Sequence, residues 1–194
     1  MQLAMTIAQG GINSGVTKYT AEYNGDIEQL KPLFSTAFRI SLYCSVLISL
    51  AMIIFSKPAA DYFLGNTEQS YIFVLFGITI TLFVTNQLIL SIVNGLKEIT
   101  FFIKVSIIQS IYSLVFTTLW IVFYGLDGAL IAFVTNQSVV LFIVLWLLRK
   151  HNIIRVSNFK NRFDSIKAKK LFGYSLMALT SVATVPISQL IIRN

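Results

Sequence analysis

The chain has 194 residues, 56% of them hydrophobic and 12% charged, with 15 Lys and Arg against 8 Asp and Glu. Soluble domains carry about 25% charged residues, so this composition excludes a disordered tail, a coiled coil and an ordinary water-soluble enzyme, and leaves an all-α integral membrane protein. A single Cys and a single His exclude a disulfide framework and a cysteine-built zinc site, so no metal and no cofactor are expected.

A spanning helix needs about 20 mostly apolar residues. Stretches free of Asp, Glu, Lys and Arg cover 1–17, 40–56, 69–96, 105–126, 128–148 and 171–192. They predict a bundle of six transmembrane helices. Five lie within 1–148, at about 1–17, 33–55, 70–95, 104–124 and 128–148; a basic loop 149–170 and a sixth helix in 171–194 follow.

The first span ends on Gly10, Gly11, Asn13, Gly15 and Lys18. Each glycine weakens a helix by about 1 kcal/mol relative to alanine and permits close backbone approach or local unwinding. Asn13 and Lys18 then face a central space, or the stretch is a tight packing face ending in an interfacial lysine. In the second span Ser41, Ser45 and Ser49 recur on one face, with Arg39 near its start as an interfacial anchor or an edge charge. The fourth repeats this with Ser106, Ser110, Ser113 and Thr117. Both stripes read first as helix–helix contact faces and second as substrate contacts.

Larger polar side chains carry more information. The third span holds Asn86, then Gln87, Ser91, Asn94 and Glu98. The fifth holds Asn136 and Gln137, and the pentapeptide Phe-Val-Thr-Asn-Gln occurs at both 83–87 and 133–137. Carboxamides are costly against lipid, so Gln87, Ser91, Asn94, Asn136 and Gln137 are expected to face the bundle interior, as interhelical glue or as the lining of a hydrated cavity. Leu82, Ile89 and Leu141 are expected to face lipid or to pack dry. In the last span Pro186 predicts a kink, and Arg193 shares a face with Gln189. Arg193 snorkels to the interface or faces a cavity.

Charge sets the orientation. Segment 149–170 carries eight basic residues against Asp164 alone, and the positive-inside rule puts it in the cytoplasm. Alternating the loops backwards leaves thirteen basic residues inside and one, Lys57, outside, with Gly125–Asp127 external. The N-terminus then falls outside, which suggests an upstream helix. The basic loop is a topology signal that also touches anionic lipid, or a docking site for a cytoplasmic partner; no nucleic-acid-binding module accompanies its charge. Catalytic motifs such as GxSxG, HExxH and the P-loop are absent, which disfavours an enzyme.

The stretch Gly11-Ile-Asn-Ser-Gly-Val-Thr-Lys-Tyr-Thr-Ala-Glu-Tyr, with Asn24-Gly25-Asp26 and Gln29-Leu30 after it, resembles the second-helix signature of bacterial O-antigen and lipid III flippases. Ser175-Leu-Met-Ala-Leu-Thr-Ser, continuing through Pro186 to Arg193, resembles their seventh helix. That family belongs to the multidrug/oligosaccharidyl-lipid/polysaccharide exporter superfamily, whose members have about twelve helices in two lobes around a central cavity. The resemblance implies that this chain covers helices two to seven, with 171–194 opening the second lobe. It implies translocation of undecaprenyl-pyrophosphate-linked oligosaccharide, an O-antigen or related surface-glycan unit, across the bacterial inner membrane. The implied partners are that lipid-linked substrate, membrane lipid and other surface-glycan assembly proteins. The pathway residues expected on this view are Asn13, Lys18, Arg39, Gln87, Asn94, Asn136, Gln137, Gln189 and Arg193. Two alternatives stay open: a cation-coupled multidrug exporter of the same superfamily, which favours a buried carboxylate, and a membrane-embedded glycan polymerase or glycosyltransferase, which needs catalytic acids or large outer loops.

Overall fold

A computed structural model describes residues 2–65, 67–151, 159 and 161–193; the side chains of 2–4, 63–64, 137, 150–151, 179 and 181–193 lie outside the description. The described chain is helical almost throughout: α1 (Gln2–Ala8), α2 (Asn13–Glu22), α3 (Ile27–Ile54), α4 (Ser56–Leu64), a 3-10 turn (Thr67–Gln69), α5 (Ser70–Gly95), α6 (Ile99–His151) and α7 (Ser165–Arg193). The stretches Ile27–Ile54, Thr67–Gly95 and Ile99–Arg149 are long and apolar enough to cross a membrane.

The first expected span is not one helix. Gly10 and Gly11 have φ of +66° and +62°, a left-handed pair that L side chains resist. The Gly10 N–H bonds the Ile7 carbonyl at 2.8 Å and the Gly11 N–H bonds Thr6 at 3.1 Å, the double closure that ends a helix on glycine. The Asn13 amide then reaches back to Gln9 Oε1 at 2.7 Å, and α2 restarts. The second span also begins earlier than its apolar run, because Asp26 caps α3 by accepting from the Glu28 and Gln29 N–H groups. The expected 57–68 connection contains a helix, α4, ended by Gly65 in the left-handed conformation.

α6 is a hairpin. Gly125, at φ 58° and ψ −130°, interrupts it, leaving two limbs of about 25 residues, each enough to cross the hydrocarbon core. Their antiparallel pairing is fixed by contacts that straddle the turn. Asn136 bonds Ser113, Gly128 abuts the Trp120 carbonyl, and Val105 and Phe101 share a core with Val144 and Leu148.

Three apolar clusters hold the bundle. At one end Ile12, Val16, Leu33, Phe34, Leu88, Ile92 and Leu171 join α2, α3, α5 and α7. Between α5 and α6 lie Ile89, Val93, Val140, Leu141 and Val144, with Leu82 packed against them. At the other end Ala8, Ile72, Phe76, Ile80 and Val134 pack together. Ile89 and Leu141 thus pack dry. Lipid is as apolar as leucine, so close packing of small residues drives association here. Gly95 lies against Thr17 and Thr20 of α2, and Gly77 against the Ser49 carbonyl of α3.

The two serine stripes differ. Ser41 and Ser45 are buried in the α3 interface, as a contact face requires. The stripe on the first limb of α6 is not a closed contact: Ser110 is exposed, and Ser110 and Ser113 line an open groove.

Candidate functional site

The end of the bundle that carries most of the basic residues brings three lysines and three tyrosines together. α2 presents Lys18 and Tyr19 on its last turns, with Tyr23 at its C-cap. α7 presents Lys167, Lys170 and Tyr174 at i, i+3 and i+7, one face of a helix. The start of α7 is set by Asp164, whose carboxylate accepts from the Ile166 and Lys167 N–H groups. The chain before it is tied to α3: Ser35 Oγ donates to the Asn161 carbonyl at 2.6 Å, the Asp164 N–H bonds Thr36 Oγ1 at 3.0 Å, and Phe159 packs on Phe34 and Phe38.

Within the cluster the Lys18 ammonium sits 5.4 Å from the Tyr19 ring centre and 5.3 Å from that of Tyr174. Lys170 sits 5.5 Å from Tyr19 and donates to the Tyr23 hydroxyl at 3.2 Å. Tyr19 stacks on Tyr23 and meets Tyr174 edge-on. Such distances fall in the cation–π range, where an ammonium gains about 0.5–1 kcal/mol at exposed sites. Lys167 differs from the other two. It is buried, donates to the Gln29 carbonyl and side chain at 2.6 and 2.7 Å, and lies 4.8 Å from the Tyr23 ring.

Burial pushes the Lys167 pKa below the ordinary lysine value, with Asp164 pulling the other way. The Tyr174 hydroxyl raises the pKa of Lys18, and the Tyr23 hydroxyl raises that of Lys170. Lys18 and Lys170 are therefore exposed, firmly cationic and held by aromatic rings. Lys167 is a structural tie between α7 and Gln29 of α3. Exposed ammonium donors beside aromatic faces suit an anionic group joined to a sugar: the cations take phosphate oxygens, and the rings take apolar sugar faces.

Of the expected pathway residues, Lys18 lies in this cluster. Asn13 clamps the α1–α2 break. The exposed Arg39 guanidinium donates to the Asn161 carbonyl at 3.1 Å, so it ties down the segment before α7. Asn136 is buried on the second limb of α6, bonded to Ser113. Gln87 is half-buried. Asn94 is exposed, against expectation: it falls on the last turn of α5, where its carbonyl accepts from the Lys97 N–H and its side chain faces out. The buried carboxamide of α5 is Asn86, with no partner for either amide atom. The Gln137, Gln189 and Arg193 side chains and the expected Pro186 kink lie outside the description.

The Val-Thr-Asn centre of the repeated pentapeptide behaves alike in both copies, whereas Phe83 is half-buried and Phe133 exposed. Thr85 and Thr135 each donate to the carbonyl four residues back, Asn86 and Asn136 are both buried, and Val84 and Val134 share one core. Sequence reading missed Lys167, Lys170 and the three tyrosines. The Lys-x-x-Lys-x-x-x-Tyr spacing on α7 was the available signal, masked by the apparent role of the basic loop in setting topology.

These features define a multi-pass, all-α membrane protein with a cationic, aromatic site at one end. Over 188 residues the chain is similar to lipid III flippases from Escherichia coli (strain K12) and Shigella flexneri, 25% identical to each. The match covers 97% of this chain and 45% of each relative, so the chain spans about half the length of the curated relatives it matches. No family model matches it, and no solved structure does.

Proposed function

We propose that this chain forms half of a transporter that moves a lipid-linked oligosaccharide across the bacterial inner membrane, with no covalent chemistry of its own. Similarity over nearly the whole chain to two lipid III flippases carries this reading. The substrate class is a polyprenyl pyrophosphate bearing a surface-glycan unit such as an O-antigen repeat. Lys18 and Lys170, framed by Tyr19, Tyr23 and Tyr174, take its pyrophosphate where the substrate enters. A desolvated pyrophosphate needs fixed cations to offset the lost hydration. The interior carboxamides then line the route past the midplane, and a second lobe completes the cavity and rocks against this one.

The test is reconstitution of the full-length transporter carrying this chain into vesicles loaded on one leaflet with undecaprenyl-pyrophosphate trisaccharide. Lectin-accessible sugar should appear on the other leaflet faster than in protein-free vesicles. An equal rate in the two would refute the reading.

The same reading sets the basic end in the cytoplasm. In a Cys44→Ala background, a cysteine replacing Lys169 is expected to react with an impermeant maleimide only after permeabilisation, and one replacing Asp61 to react in intact spheroplasts. The opposite pattern overturns the orientation.

A further inference from the structure

A groove of about 220 Å³ lies between the two limbs of α6 near the basic end of the bundle. Phe101, Lys104, Val105, Ile107 and Ile108 line it from the first limb and Leu147 from the second. Five of these side chains are apolar and the sixth is a lysine. We propose that the groove holds one acyl chain of an anionic phospholipid, whose phosphate is taken by Lys104. This site requires that α6 crosses the membrane and does not rest on the flippase reading.

The apolar part is built by the pairing of the limbs. Phe101 and Val105 share a core with Val144 and Leu148, and Leu147 packs against it. Phe101 and Val105 are therefore closed off, at 6% and 1% exposed, whereas Ile107 and Ile108 are 54% and 38% exposed. Phe101, Lys104, Ile107 and Ile108 follow one another at intervals of three, three and one, on one side of the helix. At 1.5 Å per residue, Lys104 lies roughly 32 Å along the limb from the Gly125 turn, about the thickness of a hydrocarbon core. Its ammonium thus reaches headgroup depth, while Ile107 and Ile108 lie roughly 5–6 Å deeper. An open apolar groove at that depth is filled by a lipid chain, which gains dispersion contacts there and gives up no hydration.

Charge selects which lipid. Between Ile99 and Phe163 the sole acid is Asp127, at the opposite end of the hairpin, while Lys104, Arg149, Lys150, Arg155, Lys160 and Arg162 all belong to the basic end. Glu98, at the start of the first limb, is rotated about 120° from Lys104 around the helix. Basic pockets between transmembrane helices retain anionic headgroups, whereas a zwitterionic headgroup brings its own cation and gains little. Lys18 and Lys170 are already framed by tyrosines and Lys167 is tied to Gln29. Lys104 is exposed above apolar side chains, the same division of charge and hydrocarbon that a phospholipid carries. No hydroxyl or amide side chain lines the groove, so a sugar has no side-chain partner there, and a free phosphate gains nothing from five apolar residues.

The test uses the full-length transporter in phosphatidylcholine nanodiscs holding a trace of phosphatidylglycerol or phosphatidylcholine, each with the same diazirine-tagged acyl chain. After photolysis, peptide mass spectrometry reads the label on residues 101–108 and on Leu147. Phosphatidylglycerol should label the groove about fivefold more than phosphatidylcholine, the preference conferred by one lysine near a membrane surface. Lys104→Gln should bring the ratio to about one, and Lys104→Arg should keep it. Ile108→Trp, which fills the groove, should lower labelling by both lipids, whereas Ile111→Trp, outside it, should leave labelling unchanged. Equal labelling of wild type by the two lipids, or a preference that survives Lys104→Gln, overturns the proposal. No label from either lipid means that protein covers the groove, and also overturns it. Displacement of the phosphatidylglycerol label by undecaprenyl pyrophosphate but not by excess unlabelled phosphatidylglycerol assigns the groove to a polyprenyl chain and overturns the phospholipid.

Discussion

Gly11→Ala is expected to destabilise the folded chain by about 2–5 kcal/mol, well beyond Gly10→Ala beside it. Both glycines have φ near the left-handed region, at +62° and +66°, where an L residue costs roughly 1–2 kcal/mol. The difference lies in what a Cβ meets. At Gly11 it would sit 3.0 Å from both the Cα and the carbonyl oxygen of Ser175. That is the backbone of α7, which cannot rotate aside, so an overpacking cost of about 1–3 kcal/mol adds to the strain. At Gly10 the nearest atom is Ile40 Cγ2 at 3.3 Å, the end of a flexible side chain, and a cost of about 1–2 kcal/mol is expected from strain alone. Denaturant unfolding in detergent micelles, followed by tryptophan fluorescence, measures both. Equal losses at the two positions would mean that the break between α1 and α2 does not press on α7.

That break shows how far the sequence could be read. Three glycines in six residues signalled close approach or unwinding, and both occur: Gly10 and Gly11 end α1, and Gly15 lies against the Tyr174 ring. Which helix the break would meet was not legible, because it depends on α7, some 160 residues later. The apolar run 70–95 coincides with α5 because hydrophobicity alone bounds a helix that crosses lipid. Where a polar cap starts the helix, as Asp26 does for α3, the apolar run understates its length.

The candidate site was legible in part for a similar reason. Lys18 stood out because it follows the glycines. Lys167 and Lys170 were submerged among eight basic residues whose summed charge explains orientation without distinguishing one from another. Only packing separates them: Lys167 is buried on Gln29, Lys170 is exposed on Tyr23, and Lys169 is exposed with no place in the ring cluster. Burial was expected of the carboxamides together, yet Asn86 and Asn136 are buried, Gln87 is half-buried and Asn94 is exposed; the choice between Asn86 and Gln87 turned on helix phase. Asn86 lies seven residues from both Thr79 and Val93, which are buried on α5 as it is, whereas Gln87 is rotated about 100° away.

Replacing the two exposed lysines should stop transport without unfolding the protein. Lys18→Ala and Lys170→Ala each remove one exposed ammonium that makes a weak aromatic contact, so each is expected to change stability by less than about 1 kcal/mol. Together they take both exposed cations from the site. Charge-assisted hydrogen bonds to an ionised group contribute about 1.5–3 kcal/mol each, so the double variant is expected to translocate an undecaprenyl-pyrophosphate oligosaccharide at least a hundredfold more slowly. Lys18→Arg/Lys170→Arg should retain a substantial part of the rate. Both pKa values are raised by neighbouring tyrosine hydroxyls. The protonated form therefore persists above the ordinary lysine range, and no loss of rate from lysine deprotonation is expected from about pH 6 to 9. Lys167→Met should behave oppositely. It leaves the Gln29 carbonyl and side chain without their donor, so its main effect is expected on stability, by about 1–3 kcal/mol. The measurements are initial translocation rate and unfolding midpoint for each variant. If the double alanine variant transports at the wild-type rate with a normal midpoint, the cluster is an interfacial anchor and the pyrophosphate binds elsewhere.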